Sequence, residues 1–162
     1  MMKEGLKVQT TPVRDEDESF LFALFTSTRE QELQAWGWDE AMQQHFLQMQ
    51  WRAQCSSYSV QFPQAEHLLL CHDQQPVGRV ILNHSQESLH LVDITLHPNF
   101  RGQGIGTRYL LTLQQEGSES GQSVILNVRT DNPARRLYER LGFASTGEDE
   151  LYVRMAWHSK QK

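Results

Sequence analysis

The sequence predicts an α/β protein: a mixed sheet of about seven strands flanked by four helices. Three observations predict it. Short apolar, β-branched runs alternate with longer stretches at helical spacing. One of these runs, residues 89–96, stops at Pro98 and leads through a glycine-rich turn into a helix. A second run, residues 123–128, leads through Asn132-Pro133 into a shorter helix that stops at Gly142. A parallel pair across the first of those helices requires a right-handed crossover.

In chain order, residues 6–14 alternate around Leu6, Val8, Thr10 and Pro12 and read as a first strand; Pro12 puts it near an edge. Asp15, Glu16 and Asp17 place acidic groups in the first turn of a helix, where the helix dipole favours them. Phe20, Leu21, Leu24 and Phe25 give that helix an apolar stripe. Residues 26–39 are the least regular part and hold Trp36-Gly37-Trp38. Residues 39–57 read as a long second helix capped by Asp39. Its core-facing stripe is expected at Met42, Phe46, Met49 and Ala53, and residues 58–63 are expected to be a connection. Residues 67–71 and 77–83 read as strands around a turn at Asp73-Gln74-Gln75-Pro76, with Gly78 permitting close backbone packing. Residues 89–96 form the fourth strand and 123–128 the fifth. Residues 144–148 and 151–157 supply the last two, and residues 158–162 are a terminal tail.

The stretch from Arg101 to Gly106 carries the chemistry. Glycines on alternate positions, Gly102, Gly104 and Gly106, let backbone approach a ligand without Cβ clashes. The turn also delivers free N–H groups at a helix N-terminus, where a phosphate or diphosphate binds well. Two familiar phosphate loops are excluded. A P-loop needs Lys-Ser/Thr after its last glycine, and Thr107-Arg108 stands there. The dinucleotide fingerprint needs a third glycine where Thr107 stands and an acidic residue farther on.

Arg101-x-x-Gly104-x-Gly106 behind a strand resembles the acyl-CoA loop of the GNAT family of N-acetyltransferases. Asn132, followed by a short helix bearing Tyr138 and closed by Gly142-Phe143, resembles that family's other hallmark. The resemblance covers residues 77–143 well and implies one acetyltransferase domain over residues 1–162, with a sheet that splays between the fourth and fifth strands. It also implies a site. Backbone of Ile94 and Leu96 would pair with the pantetheine arm of acetyl-CoA, as an added strand does. Amides of Gly102, Gln103, Gly104, Ile105, Gly106 and Thr107 would hold the diphosphate, with Arg101 nearby. Asn132 would bond the pantetheine arm, and Arg108 and Arg135 would reach toward CoA phosphate. Tyr138 stands where the family's general acid stands, and a phenol can donate to the leaving sulfur.

The base stays open among His90 and Asp93 on the fourth strand and Glu30 and Glu32 farther upstream. In a regular strand His90 and Asp93 face opposite sides. His97 is expected to cap the loop. The implied activity is transfer of an acetyl group from acetyl-CoA, as co-substrate, to a primary amine of a small molecule or protein. The alternative is a non-catalytic acyl-CoA-binding sensor on the same fold, and a third reading makes a protein N-terminus the acceptor.

Composition bounds the rest. At 162 residues the chain can bury a substantial core, and its net charge of −5 disfavours nucleic acid or an anionic membrane as main partner. No apolar run approaches the roughly 18 residues of a membrane span, and the N-terminal Met1-Met2-Lys3-Glu4-Gly5 lacks the apolar core of a signal peptide. Cys55 and Cys71 lack neighbours at zinc-ligand spacing, so no metal is expected and the cytoplasm is the expected compartment. A homodimer remains open.

Overall fold

The computed structural model describes residues 8–159. Residues 6 and 7 of the expected first strand, the N-terminal stretch read for a signal peptide, and the last three residues of the tail lie outside these bounds. Seven strands form one sheet: β1 (Val8–Pro12), β2 (Glu66–His72), β3 (Gln75–His84), β4 (Ser88–Leu96), β5 (Ser123–Arg129), β6 (Ala144–Glu148) and β7 (Tyr152–Trp157). Their spatial order is β1-β2-β3-β4-β5-β7-β6, so β1 is an edge strand, as Pro12 implies. Only the β4–β5 pair is parallel among these neighbours.

Five helices cover the sheet: α1 (Glu18–Ser27), α2 (Glu30–Trp36), α3 (Glu40–Gln61), α4 (Ile105–Ser120) and α5 (Ala134–Arg140). That is one more than the four expected. The extra helix, α2, spans only seven residues, stops at Gly37 in the left-handed region and buries only Leu33. So short a helix leaves almost no periodic pattern in the sequence. On one face of the sheet α4 and α5 pack with Tyr109, Leu110, Leu113 and Tyr138 against Val80, Leu89, Leu91, Val124 and Leu126. On the other face α1, α2 and α3 pack with Leu21, Phe25, Leu33, Leu47 and Trp51 against Leu69 and Cys71.

Helix α3 departs from expectation in two ways. Its cap is as read: the Asp39 carboxylate accepts from the Met42 amide at 2.8 Å. Its inward residues, however, are Leu47 and Trp51, while Met42 and Met49 are 50% and 55% exposed. Of the stripe read from the sequence, Met42, Met49 and Ala53 face solvent, while Phe46 is half-buried against the α1–α3 cluster; part of the inner face of α3 lies over a charged side chain, Arg79. Gln54 answers it, accepting from Arg79 Nη2 at 3.2 Å. The helix also runs through Gln61, so Tyr58 sits on its last turns and not in a connection.

Gly78 behaves as read. A Cβ there would collide with the Thr95 backbone carbonyl across the β3–β4 pair, so only glycine permits that approach. The hairpin between β2 and β3 turns on Asp73 and Gln74, both in the left-handed region at φ 52° and 69°.

Candidate active site

The site starts from an irregularity in β4. Along β3 the pairing runs Val80↔Ile94, Ile81↔Asp93 and then Leu82↔Leu91, so Val92 is an extra residue with no partner. A bulge of this kind bends its strand. Past the bulge β4 leaves β5: the parallel pairing spans only Ser88 to Leu91 against Ser123 to Leu126. The two strands thus splay where the resemblance places the splay. The bulge also overturns one reading of the sequence. His90 and Asp93 do not face opposite sides, because the extra residue shifts the alternation; both line the same cavity.

Beyond the bulge β4 keeps unpaired backbone toward the gap. The His97 amide donates to Val77 of β3 at 2.8 Å. Alternation along the strand then directs the Leu96 amide away from β3, into the opening. The Leu96 carbonyl already accepts from Arg101 Nε at 3.1 Å, which folds the arginine back over the mouth of the loop.

The loop leaves its backbone N–H groups unused by the described residues. Gly102 and Gly104 adopt φ of 74° and 82°, the left-handed region that favours glycine. His97 Nδ1 accepts from the Asn99 amide at 3.1 Å and so caps the short 3-10 turn before the loop, as expected. Ile105 is fully buried among Leu82, Leu110 and Leu126, anchoring the start of α4. Among the described residues, no amide from Gly102 to Thr107 donates to a protein acceptor; the next one, Arg108, donates to Gly104. Six consecutive N–H groups are therefore free at the positive end of a 16-residue helix.

Two cavities meet at the gap. The larger, about 1020 Å³, runs from the loop at Arg101, Gly102 and Gly106 past Ile94 and Leu96 to Asn132, Tyr138 and the rim at Thr28 and Glu30. The second, about 420 Å³, lies among Tyr58, Phe62, His90, Asp93, Asn127 and Tyr152. Ile94, Asn132 and Tyr138 line both.

The profile of the Acetyltransferase (GNAT) family matches residues 18–143. The chain belongs to the GNAT family of acetyltransferases. Over 95 residues it is 32% identical to the [Ribosomal protein bS18]-alanine N-acetyltransferase of Haemophilus influenzae, covering 58% of this chain. The match spans 62% of that relative's length. Among solved structures it resembles the PaiA N-acetyltransferase of Thermoplasma acidophilum in complex with coenzyme A, at a TM-score of 0.67 and 17% identity. That likeness covers 94% of this chain and 99% of that one. It also resembles the ribosomal-protein-S18-alanine N-acetyltransferase of Escherichia coli, at a TM-score of 0.65 and 19% identity over 96% of each chain. At these identities the structural likenesses show that the fold is the GNAT fold.

In this GNAT chain α5 holds Tyr138 at the junction. Asn132 Oδ1 accepts from the Ala134 amide at 2.8 Å, starting the helix and leaving the Asn132 amide group free toward the cavities. Gly142 ends it at φ 97°, against Trp157. Tyr138 packs edge-on to Phe143 at 5.8 Å. Burial, with the charge of Asp93 adding, pushes its phenol above the ordinary value, so it carries its proton at neutral pH. His90 meets Phe62 edge-on at 5.4 Å. Burial, with Arg154 adding, holds its imidazole below 6.5.

The other residues singled out in the sequence fall into place unevenly. Glu30 lines the larger cavity, not the one that holds His90 and Asp93. Glu32 lies 3.9 Å from Arg29. Arg135 turns to Glu139 at 3.5 Å and Glu148 at 3.6 Å. The Gln103 side chain donates to the Asn99 carbonyl, so the loop has its amide to offer rather than its carboxamide.

Arg79 was not legible as a site residue, and it organises the floor of the second cavity. It is 8% exposed, donates from Nε and Nη2 to Asp93 at 3.1 and 3.0 Å, and lies 5.7 Å from both the Trp51 and Tyr58 rings. One signal was available: a lone arginine inside the apolar run Val77 to Leu82 demands a buried partner.

Proposed function

We propose that this chain is an N-acetyltransferase that moves the acetyl group of acetyl-CoA to a primary amine by direct attack. The observation that carries this reading is the opened β4–β5 pair, with six free loop amides on one side and Tyr138 at the meeting point of two cavities. Gly102 to Thr107 supply amides for the diphosphate of the co-substrate. Backbone of Ile94 and Leu96 pairs with its pantetheine arm, and the free amide group of Asn132 bonds the same arm. The amine arrives through the second cavity.

The chemistry follows from the groups at the junction. The amine nitrogen attacks the thioester carbonyl, whose oxygen draws hydrogen bonds from backbone N–H on the splayed strand. The C–S bond breaks and Tyr138 gives its proton to the departing sulfur. Once the C–N bond has formed, a second N–H proton restores the Tyr138 phenol; the first, carried by the incoming ammonium, passes to His90, directly or through water. An aliphatic ammonium has no lone pair, so this proton must leave before attack. Glu30, facing the cofactor side, is the lesser candidate for that step.

For the acceptor we favour the free α-amine of a protein N-terminus. Support comes from the bS18-alanine N-acetyltransferase relative, which matches in sequence. Two free cysteines, Cys55 and Cys71, suit the reducing cytoplasm, where we place the protein. Thiol release from acetyl-CoA with alanyl peptides, polyamines and free amino acids tests the reading. Alanyl peptides are expected to be the best acceptors. Tight acetyl-CoA binding without turnover of any amine would leave an acyl-CoA-binding protein instead.

Two outcomes probe the residue roles. Tyr138→Phe is expected to lower kcat roughly 10²-fold with acetyl-CoA affinity nearly unchanged; full activity in that variant removes Tyr138 from the acid role. His90 acts as base only when neutral, and its folded value lies below 6.5. The acid limb of kcat/KM should therefore have its midpoint below 6.5 and vanish in His90→Gln. An unaltered limb in that variant assigns the proton to another group.

A further inference from the structure

The carboxylate of Asp93 is held from one side only. Arg79 Nε, Arg79 Nη2 and the Thr95 hydroxyl all donate to the same oxygen, Oδ2, at 3.1, 3.0 and 3.0 Å. The other oxygen, Oδ1, accepts no hydrogen bond among the described residues. Arg79 cannot turn away: its guanidinium is wedged between the Trp51 and Tyr58 rings and tied to Gln54 Oε1 at 3.2 Å. Asp93 is itself about 21% exposed and lines the second cavity, beside Tyr58 and within electrostatic reach of Tyr138. A carboxylate with one pinned oxygen and one open oxygen is a fixed, directed acceptor.

We propose that Asp93 docks the acceptor, its Oδ1 taking a charge-assisted hydrogen bond from the incoming ammonium while the Tyr58 ring lies alongside the cation. This rests on the acetyltransferase reading and adds the form in which the amine enters. The other polar groups around the cavity fit. Arg129 at its edge is paired with Asp131 at 3.3 Å, and His90 is neutral at pH 7. Among the described residues lining the cavity, Asp93 is thus the one negative charge with an open oxygen. The guanidinium behind it has a second effect. It offsets part of the carboxylate's field, so the ammonium is oriented without being stabilised so strongly that it cannot lose its proton. An unpaired carboxylate in that place would hold the amine in its unreactive form.

The test is calorimetry on the CoA-loaded protein with two probes, alanylglycine amide and propionylglycine amide, which differ only in the ammonium group. Wild type is expected to bind the cationic probe about tenfold more tightly at pH 6.5. Asp93→Asn keeps an oxygen for Arg79 and Thr95 but replaces the open oxygen with a donor, and should reduce the preference to within about twofold. In wild type the preference should also disappear near pH 9.5, where the α-amine, with an ordinary pKa of about 8, is neutral. That second arm needs no variant to fold. No preference in wild type, a preference kept by Asp93→Asn, or one that persists near pH 9.5 overturns the proposal. CoA affinity, measured in the same protein before the probes are added, tests the acetyltransferase reading separately: normal CoA binding with any of these failures sinks the docking role alone.

Discussion

Gly106→Glu is expected to lower acetyl-CoA affinity by at least about 100-fold while leaving the fold intact. Gly106 lines the larger cavity in the first turn of α4. Its backbone lies outside the left-handed region, so a side chain is tolerated there. An added Cβ would sit 3.7 Å from Leu96 Cδ1, an ordinary contact. The carboxylate beyond it would enter the space in which the amides of Gly102 to Thr107 receive an anion. Like charges about 4 Å apart at a protein surface repel by about 4 kcal/mol, more than the roughly 2.7 kcal/mol that a hundredfold loss represents. Gly104 is the poorer position for this experiment. Its φ of 82° would itself strain any substituted residue by about 1–2 kcal/mol, mixing loss of stability with loss of binding. Calorimetric titration with acetyl-CoA, alongside a thermal melt, separates the two effects. Affinity unchanged in Gly106→Glu would move the co-substrate off the loop.

Arg79→Met is expected to destabilise the protein by about 3–4 kcal/mol, near the lower end of the range for breaking a buried ion pair. Three losses combine. Asp93 keeps its charge on the floor of the second cavity with no guanidinium beside it. The Trp51 and Tyr58 rings lose the cation between them. Gln54 Oε1 loses its donor on the inner face of α3. For a chain of this length the drop in Tm should be about 8–12 °C. The double variant Arg79→Met with Asp93→Leu should recover at least half of the loss, because the larger part comes from the stranded carboxylate and not from the missing arginine. Urea unfolding of both variants decides it. Equal loss in the single and double variants would place the stability in the ring stacking instead.

The elements around the loop were legible because their causes are local. Pro98 stops β4, glycines set the turn, Asp39 and Asn132 cap their helices, and each acts within four residues of itself. The faces of α3 were not legible in the same way. Met42, Phe46, Met49 and Ala53 have helical spacing, but spacing alone does not say which stripe meets the sheet. Trp51, Gln54 and Tyr58 face inward because Arg79 lies beneath them, about 25 residues farther along the chain. Tyr58 illustrates the result: its phenol, buried and facing Asp93, is pushed up to about 12.

By itself the sequence determined the order of the seven strands and of four of the five helices, the glycine turn from Gly102 to Gly106 and the place of Tyr138 on a short helix. These depend on backbone rules that neighbouring residues settle among themselves. Tertiary structure decided the rest. The unpaired residue at Val92 arises only when β4 is laid against β3, and it both parts β4 from β5 and turns His90 and Asp93 to one side. The meeting of Arg79, Asp93 and Tyr58 likewise joins three elements distant in the chain. No local pattern carries such contacts, because the energy that selects them exists only once the elements are packed together.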